Sequence, residues 1–185
     1  KEIVNIFNLI SSYWISKACK VRELIISQEM GFIIAWLKKQ NIEKLLATNF
    51  QTMSPLDSPT FDKLTNSFLY ARPQGIAVHW IAGNVPVLGV ISLFQSLLTK
   101  NKSIIKVPVN FKNVLPALLE DLSNSNYFSR HEKEILDKLL SSVLILYTDK
   151  EDLESQKKLS RNADIRVVWG GLEAVNSVIG LEKKI

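Results

Sequence analysis

The chain has little of what holds a disulfide or metal fold together. Cys19 is the single cysteine among 185 residues, which excludes a disulfide scaffold and a cysteine-rich zinc site. His79 and His131 are the two histidines and lie far apart in sequence, so no metal site is expected. No arginine-rich arm and no aromatic-basic ribonucleoprotein motif occurs. The lysines fall in solvent-face patterns such as Lys38-Lys39, Lys157-Lys158 and Lys183-Lys184, beside acids. Nucleic acid is therefore not expected as a partner, although the net charge of +5 permits some anionic ligand. The familiar nucleotide motifs are missing too. No G-x-G-x-x-G follows a strand pattern and no G-x-x-x-x-G-K-[ST] is present, which disfavours a standard dinucleotide fold or a P-loop enzyme. Lys1-Glu2-Ile3 opens an amphipathic pattern rather than an apolar leader, and a cytoplasmic setting is expected. One stretch, Gly75 to Leu98, is long and apolar enough to cross a bilayer. His79, Gly83-Asn84 and Pro86 interrupt it, so it reads as strand, turn and buried helix, with no membrane span.

What remains is ordinary globular material, 46% hydrophobic and 22% charged, long enough for one domain with an attachment. Residues 1–47 read as helices: Ile3, Phe7 and Ile10, then Val21, Leu24 and Ile25, then Ile33, Trp36 and Leu37 recur at helical spacing, with Gly31 a break. Two prolines and several turn formers make 48–60 a linker. A short helix is expected over about 61–70, ending before Pro73. The pattern then changes. Four runs rich in β-branched and aromatic residues, 76–81, 103–107, 143–147 and 165–169, read as strands. Between them lie helical segments at 87–98 (entered through Pro86), 111–123, 130–141 and 150–160, and a last helix follows Gly170-Gly171. The expected fold is α/β, a parallel sheet with helices on both faces, preceded by a helical region. The expected division is 1–60, helical region and linker, and 61–185, a truncated nucleotide-binding domain.

Such sheets bind ligands at the carboxyl ends of their strands. Three of these ends carry unusual residues: Ala82-Gly83-Asn84-Val85-Pro86, Lys106-Val107-Pro108 and Trp169-Gly170-Gly171. Taken singly, Asn84 reads as a helix cap, Lys106 as an exposed strand-end lysine and the glycines as a tight turn. Gathered at one edge of one sheet, they read as a site.

At these residues the chain resembles the aldehyde dehydrogenase superfamily and, within it, the acyl-CoA reductase family of the LuxC type. The resemblance rests on Arg72-Pro73-Gln74-Gly75, His79, Ala82 to Gly89, Leu98-Thr99-Lys100-Asn101 with Ile104-Ile105-Lys106, and Ala163-Asp164 with Trp169 to Val175. It implies reduction of a fatty acyl thioester to an aldehyde by NADPH or NADH, through an acyl group carried on a cysteine. It also implies roles. Asn84 would donate to the acyl oxyanion, Lys106 would contact the adenosine ribose, and Trp169, Gly170 and Gly171 would lie near the cofactor, with a helix start favouring its phosphates. An acyl-protein synthetase partner and a homo-oligomer are implied as well.

Two departures from the family pattern matter. Val109 stands where NAD-preferring members often place a ribose-reading glutamate. Valine does not repel a 2′-phosphate, so NADPH is favoured, with Lys112 a nearby charge that is otherwise a solvated lysine. The catalytic cysteine is not in the chain. Cys19 precedes every cofactor motif and reads as a buried small hydrophobe, and Glu173 follows the Gly turn too closely to be the acid/base residue. His79 reads by default as a strand histidine hydrogen-bonded in the core. The chain is thus expected to be a fragment, inactive alone. The alternatives are a non-catalytic nucleotide-binding or protein-interaction module, or another superfamily member such as a phosphate-activated acyl reductase.

Overall fold

A computed structural model of the chain describes residues 1–50, 54–81, 85–107, 114–149 and 151–184. Four helices come first: α1 (Glu2–Ile15), α2 (Arg22–Ser27), α3 (Gly31–Trp36) and α4 (Lys39–Phe50). The apolar positions of the 3.6-residue pattern are the buried ones. Phe7, Ile10, Tyr13 and Trp14 of α1 are at most 1% exposed, and each such side chain contributes roughly 1.5–3 kcal/mol. Gly31 begins α3 rather than merely breaking a helix, with Glu29 in the left-handed region just before it.

The expected helix over 61–70 is a hairpin instead, β1 (Thr60–Asp62) with β2 (Ser67–Leu69), antiparallel. Asp62 decides this. Its carboxylate accepts from the Leu64 backbone N–H at 3.0 Å and the Thr65 hydroxyl at 2.7 Å. Asn66 takes φ +49°, and Phe61 meets Phe68 across the strands. Local side-chain bonds of this kind compete successfully with a short helix.

The sheet is the expected one. It comprises β3 (Ile76–Trp80), β4 (Lys102–Val107), β5 (Val143–Tyr147) and β6 (Ile165–Val168), all parallel in the order β5-β4-β3-β6. The connections are α5 (Pro86–Leu98), α6 (Val114–Ser123) with α7 (Arg130–Leu140), and α8 (Leu153–Asn162), and α9 (Leu172–Ile179) follows β6. Pro86 stands at the first turn of α5, where its missing N–H is harmless. Ser129 and Glu132 close a capping box on α7, and Asp152 caps α8.

Helices cover both faces. On one, α5, α6 and α7 share a core with the amino-terminal helices: Phe7 packs edge-on against Phe94 at 4.7 Å, and Ile105 and Val107 point into it. On the other, Val78 and Trp80 meet Leu159 of α8 and Val178 of α9. Among the described residues no helix is long and apolar enough to cross a membrane.

The amino end of β3 is tightly fastened. Asn101 Oδ1 accepts from the Gln74 and Gly75 N–H groups, and Asp164 Oδ2 accepts from Ile76 N–H at 2.8 Å. Gly75 sits at φ +123°, and a Cβ there would collide with the Asp164 carboxylate. Gly75→Ala should therefore cost roughly 1–3 kcal/mol, measured as a lowered urea midpoint. An unchanged midpoint would show that this entry to the sheet is slack.

Candidate functional site

Strand order places the site. Sequence runs outward from β3 to β4 to β5, then returns over the other face to β6 on the far side of β3. The loop leaving β3 enters α5 on one face, and the loop leaving β6 enters α9 on the other. The carboxyl ends of β3 and β6 therefore diverge, which is the switch-point crevice where open α/β sheets bind ligands.

Lys106, the penultimate residue of β4, stands in register with Trp80 and Leu146, on the α8/α9 face. It is not the exposed lysine of the plain reading: only 8% of it is accessible. Burial lowers its pKa, and Asp149 and Glu151 partly offset this by favouring the charged form. Among the described residues no hydrogen bond or ion pair to its amine is formed within the sequence-distant framework around it. That framework is ordered by Gln156 of α8. Its side-chain oxygen accepts from the Trp80 indole N–H at 2.6 Å, while its amide donates to Thr148 and to the Asp149 carbonyl.

Trp169 extends the β3–β6 ladder, its N–H donating to the Trp80 carbonyl at 2.8 Å. Its side chain turns to the α5 face, where the indole N–H donates to Ser92 Oγ at 3.0 Å. Ser92 in turn shares a 2.7 Å hydrogen bond with His79 Nδ1. Gly170 and Gly171 are exposed, and Gly171 is the N-cap of α9 with open space around its Cα. A Cβ on Gly170 would crowd Ala174 at 2.9 Å. The structure thus brings Lys106 and the Trp169-Gly170-Gly171 turn to one sheet edge. Asn84, Val109 and Lys112 lie outside the described residues, as do Ala82, Gly83 and Pro108.

His79 is 1% exposed, and its Nε2 has no hydrogen-bond partner. Burial depresses its pKa from 6.5 to about 4, so the ring is neutral near pH 7. The core-histidine reading stands, with Ser92 as its partner. Cys19 lies in the helical core, not at the crevice. It is 7% exposed, its thiol donates to Asp121 Oδ2 at 3.6 Å, and the Tyr13 hydroxyl donates to the same oxygen at 2.8 Å. Burial above all pushes the thiol pKa up to about 11. A thiol so placed is almost never the thiolate a nucleophile must be.

Ser92 and Gln156 were not among the residues singled out from sequence. The available signal was a polar side chain on an otherwise apolar helical stripe: Ser92 beside Val90, Leu93 and Phe94, and Gln156 three before Leu159.

The His79 burial has a consequence for acid stability. The unfolded chain takes up a proton below about 6.5, and the native chain only below about 4. Stability present above 6.5 is therefore lost as pH falls through this window, by about 3 kcal/mol. Urea midpoints across the window should fall more steeply for the wild type than for His79→Gln. Parallel curves would mean the imidazole is not held neutral.

The family model for acyl-CoA reductase (LuxC) matches residues 3–185, and the chain belongs to that family. Long-chain acyl-protein thioester reductase 2 of Photobacterium leiognathi is 28% identical over 94% of this chain and 38% of its own length. The long-chain acyl-protein thioester reductases of Aliivibrio fischeri and Photorhabdus luminescens are 32% and 31% identical over 58% and 60% of this chain, and 21% and 22% of their own lengths. The chain thus spans well under half of these relatives.

Proposed function

We propose that this member of the acyl-CoA reductase family forms the cofactor-gripping part of an NADPH-dependent reductase that converts long-chain fatty acyl thioesters to aldehydes. The observation that carries the reading is Lys106, a cation sunk at the carboxyl edge of β4 beside the switch-point crevice. A buried ammonium is costly without an acceptor, and ribose hydroxyls or phosphate oxygens meet that need. The glycine turn at the start of α9 fits the same ligand: Gly171, its N-cap, makes no side-chain cap hydrogen bond, and a helix start suits a pyrophosphate. The names of the relatives support a reductase acting on a long-chain acyl thioester.

In this reading Lys106 orients the adenosine ribose, and Gly170 and Gly171 let the backbone approach the phosphates. Asn84 donates its amide to the oxygen of the acyl group under attack. Val109 leaves room for a 2′-phosphate. When bound, the nicotinamide supplies hydride. The acyl group is held by a thiol outside this chain, since Cys19 is buried and protonated. The acyl group would arrive from coenzyme A or from an acyl-protein synthetase, in the cytoplasm, with the intact reductase an oligomer.

Calorimetric titration of the intact protein with NADPH and NADH tests the cofactor assignment. Lys106→Met keeps the aliphatic stem and should weaken both by about ten- to hundredfold. Val109→Glu should weaken NADPH more than NADH, through like-charge repulsion of the 2′-phosphate. No NADPH binding by the wild type would end the proposal.

Asn84→Ala should lower turnover by about 10²–10³ with cofactor affinity nearly unchanged. Normal turnover would reduce Asn84 to a helix cap.

A further inference from the structure

The Trp169–Ser92–His79 chain spans the crevice. Its outer end, Trp169, is the last residue before the glycine turn, and its middle, Ser92, lies on α5, the helix that leaves the β3 turn. Six residues separate Ser92 from Pro86, so the hydroxyl stands about 9 Å along the axis from the helix start. The Gly170-Gly171 turn leads into α9 on one face of the sheet, and α5 packs on the other. The indole–hydroxyl bond ties one to the other.

The turn needs such a tie. Gly170 and Gly171 have no side chains with which to anchor themselves, and both are exposed. Trp169 is held through its backbone to Trp80 and through its indole to Ser92. An indole N–H can only donate, so the Ser92 oxygen must accept it. The hydroxyl hydrogen is then available to the neutral imidazole of His79. Ser92 is 3% exposed, and its hydroxyl finds its partners within the fold, in the Trp169 indole and His79.

The chain is also kept at a cost. His79 Nε2 is left buried without a partner, and an unmet buried polar group is unfavourable. Apolar residues at 79 and 92 would fill the same core without that loss. The polar chain runs instead from that buried imidazole to Trp169, the residue before the glycine turn.

We infer that Ser92 is a positioning residue: by holding the Trp169 indole, its hydroxyl sets where the Gly170-Gly171 backbone stands across the crevice and so raises affinity for the dinucleotide without touching it. The inference rests on the cofactor reading above. It predicts coupling between positions 92 and 169.

The test is a double-mutant cycle in the intact protein with Ser92→Ala, Trp169→Phe and the double variant, read by NADPH affinity and by the split between KM and kcat. Each single change should weaken NADPH by about three- to tenfold, the range of one neutral hydrogen bond. KM for NADPH should rise with kcat largely retained, and the double variant should be no weaker than the weaker single. Trp169→Phe keeps the aromatic volume and carries the test from the other end of the bond should Ser92→Ala fail to fold. Additive losses, or unchanged NADPH affinity with only a lowered unfolding midpoint, would overturn the inference. The Trp169 indole N–H resonance separates the two readings. If it shifts in Ser92→Ala while the wild type binds no NADPH, the bond exists but the cofactor reading and its use here both fail. If it does not shift, the bond itself is absent and the inference fails alone.

Discussion

The site depends on β3 being buried on both faces and paired along both edges. β4 runs beside it on one side and β6 on the other, so the three carboxyl ends finish in one layer, and register alone brings Lys106, Trp80 and Val168 level. A strand covered on both faces can carry polar side chains only where helices supply partners. The two polar residues near its end are met in this way: His79 by Ser92 of α5 on one face, and the Trp80 indole by Gln156 of α8 on the other. These bonds lock the helices that flank the crevice to the strand that defines it. The amino end is fixed as firmly by Asn101 and Asp164, so the register cannot slip by one residue without turning every buried side chain outward.

The sheet was legible because its strands are short β-branched runs separated by helical periods of sufficient length, and because helix starts carry chemical marks: Pro86, Ser129 with Glu132, and Asp152. The hairpin over 60–69 was not. Phe61, Leu64 and Phe68 satisfy a helical spacing, and periodicity over ten residues cannot outweigh the Asp62 turn, whose bonds are visible only once the backbone is placed. At the site, Lys106 and the glycine turn were legible because strand ends can be counted along the chain. What could not be read was their support. The Trp169–Ser92 bond joins residues 77 apart and the Trp80–Gln156 bond joins residues 76 apart. Local patterns carry no information on such pairs. The exposed-lysine reading of Lys106 failed for the same reason: Lys106 is 8% exposed and stands level with Trp80 and Leu146 of the neighbouring strands, a placement its own strand does not reveal.

Two groups of buried polar residues differ in their electrostatics. In the helical core, Tyr13 and Cys19 both donate to the Asp121 carboxylate, and burial raises both their pKa values, to about 12 and about 11. That cluster ties α1 and the turn after it to α6, and it keeps its protons. At the crevice, burial instead works against a cation, lowering the pKa of Lys106, while the carboxylates of Asp149 and Glu151 work to retain its charge. Cys19, the single cysteine, is thus held protonated in the helical core, whereas Lys106 is buried near the carboxyl end of its strand. In the proposed reading, the strands that carry Lys106 and the glycine turn would grip the dinucleotide, and the precision of that grip is what a positioning hydrogen bond can supply. An exposed glycine turn without anchors of its own would be the weakest point of that arrangement, and the Trp169 indole, bonded across the crevice to the helix that follows β3, is where the fold removes the slack.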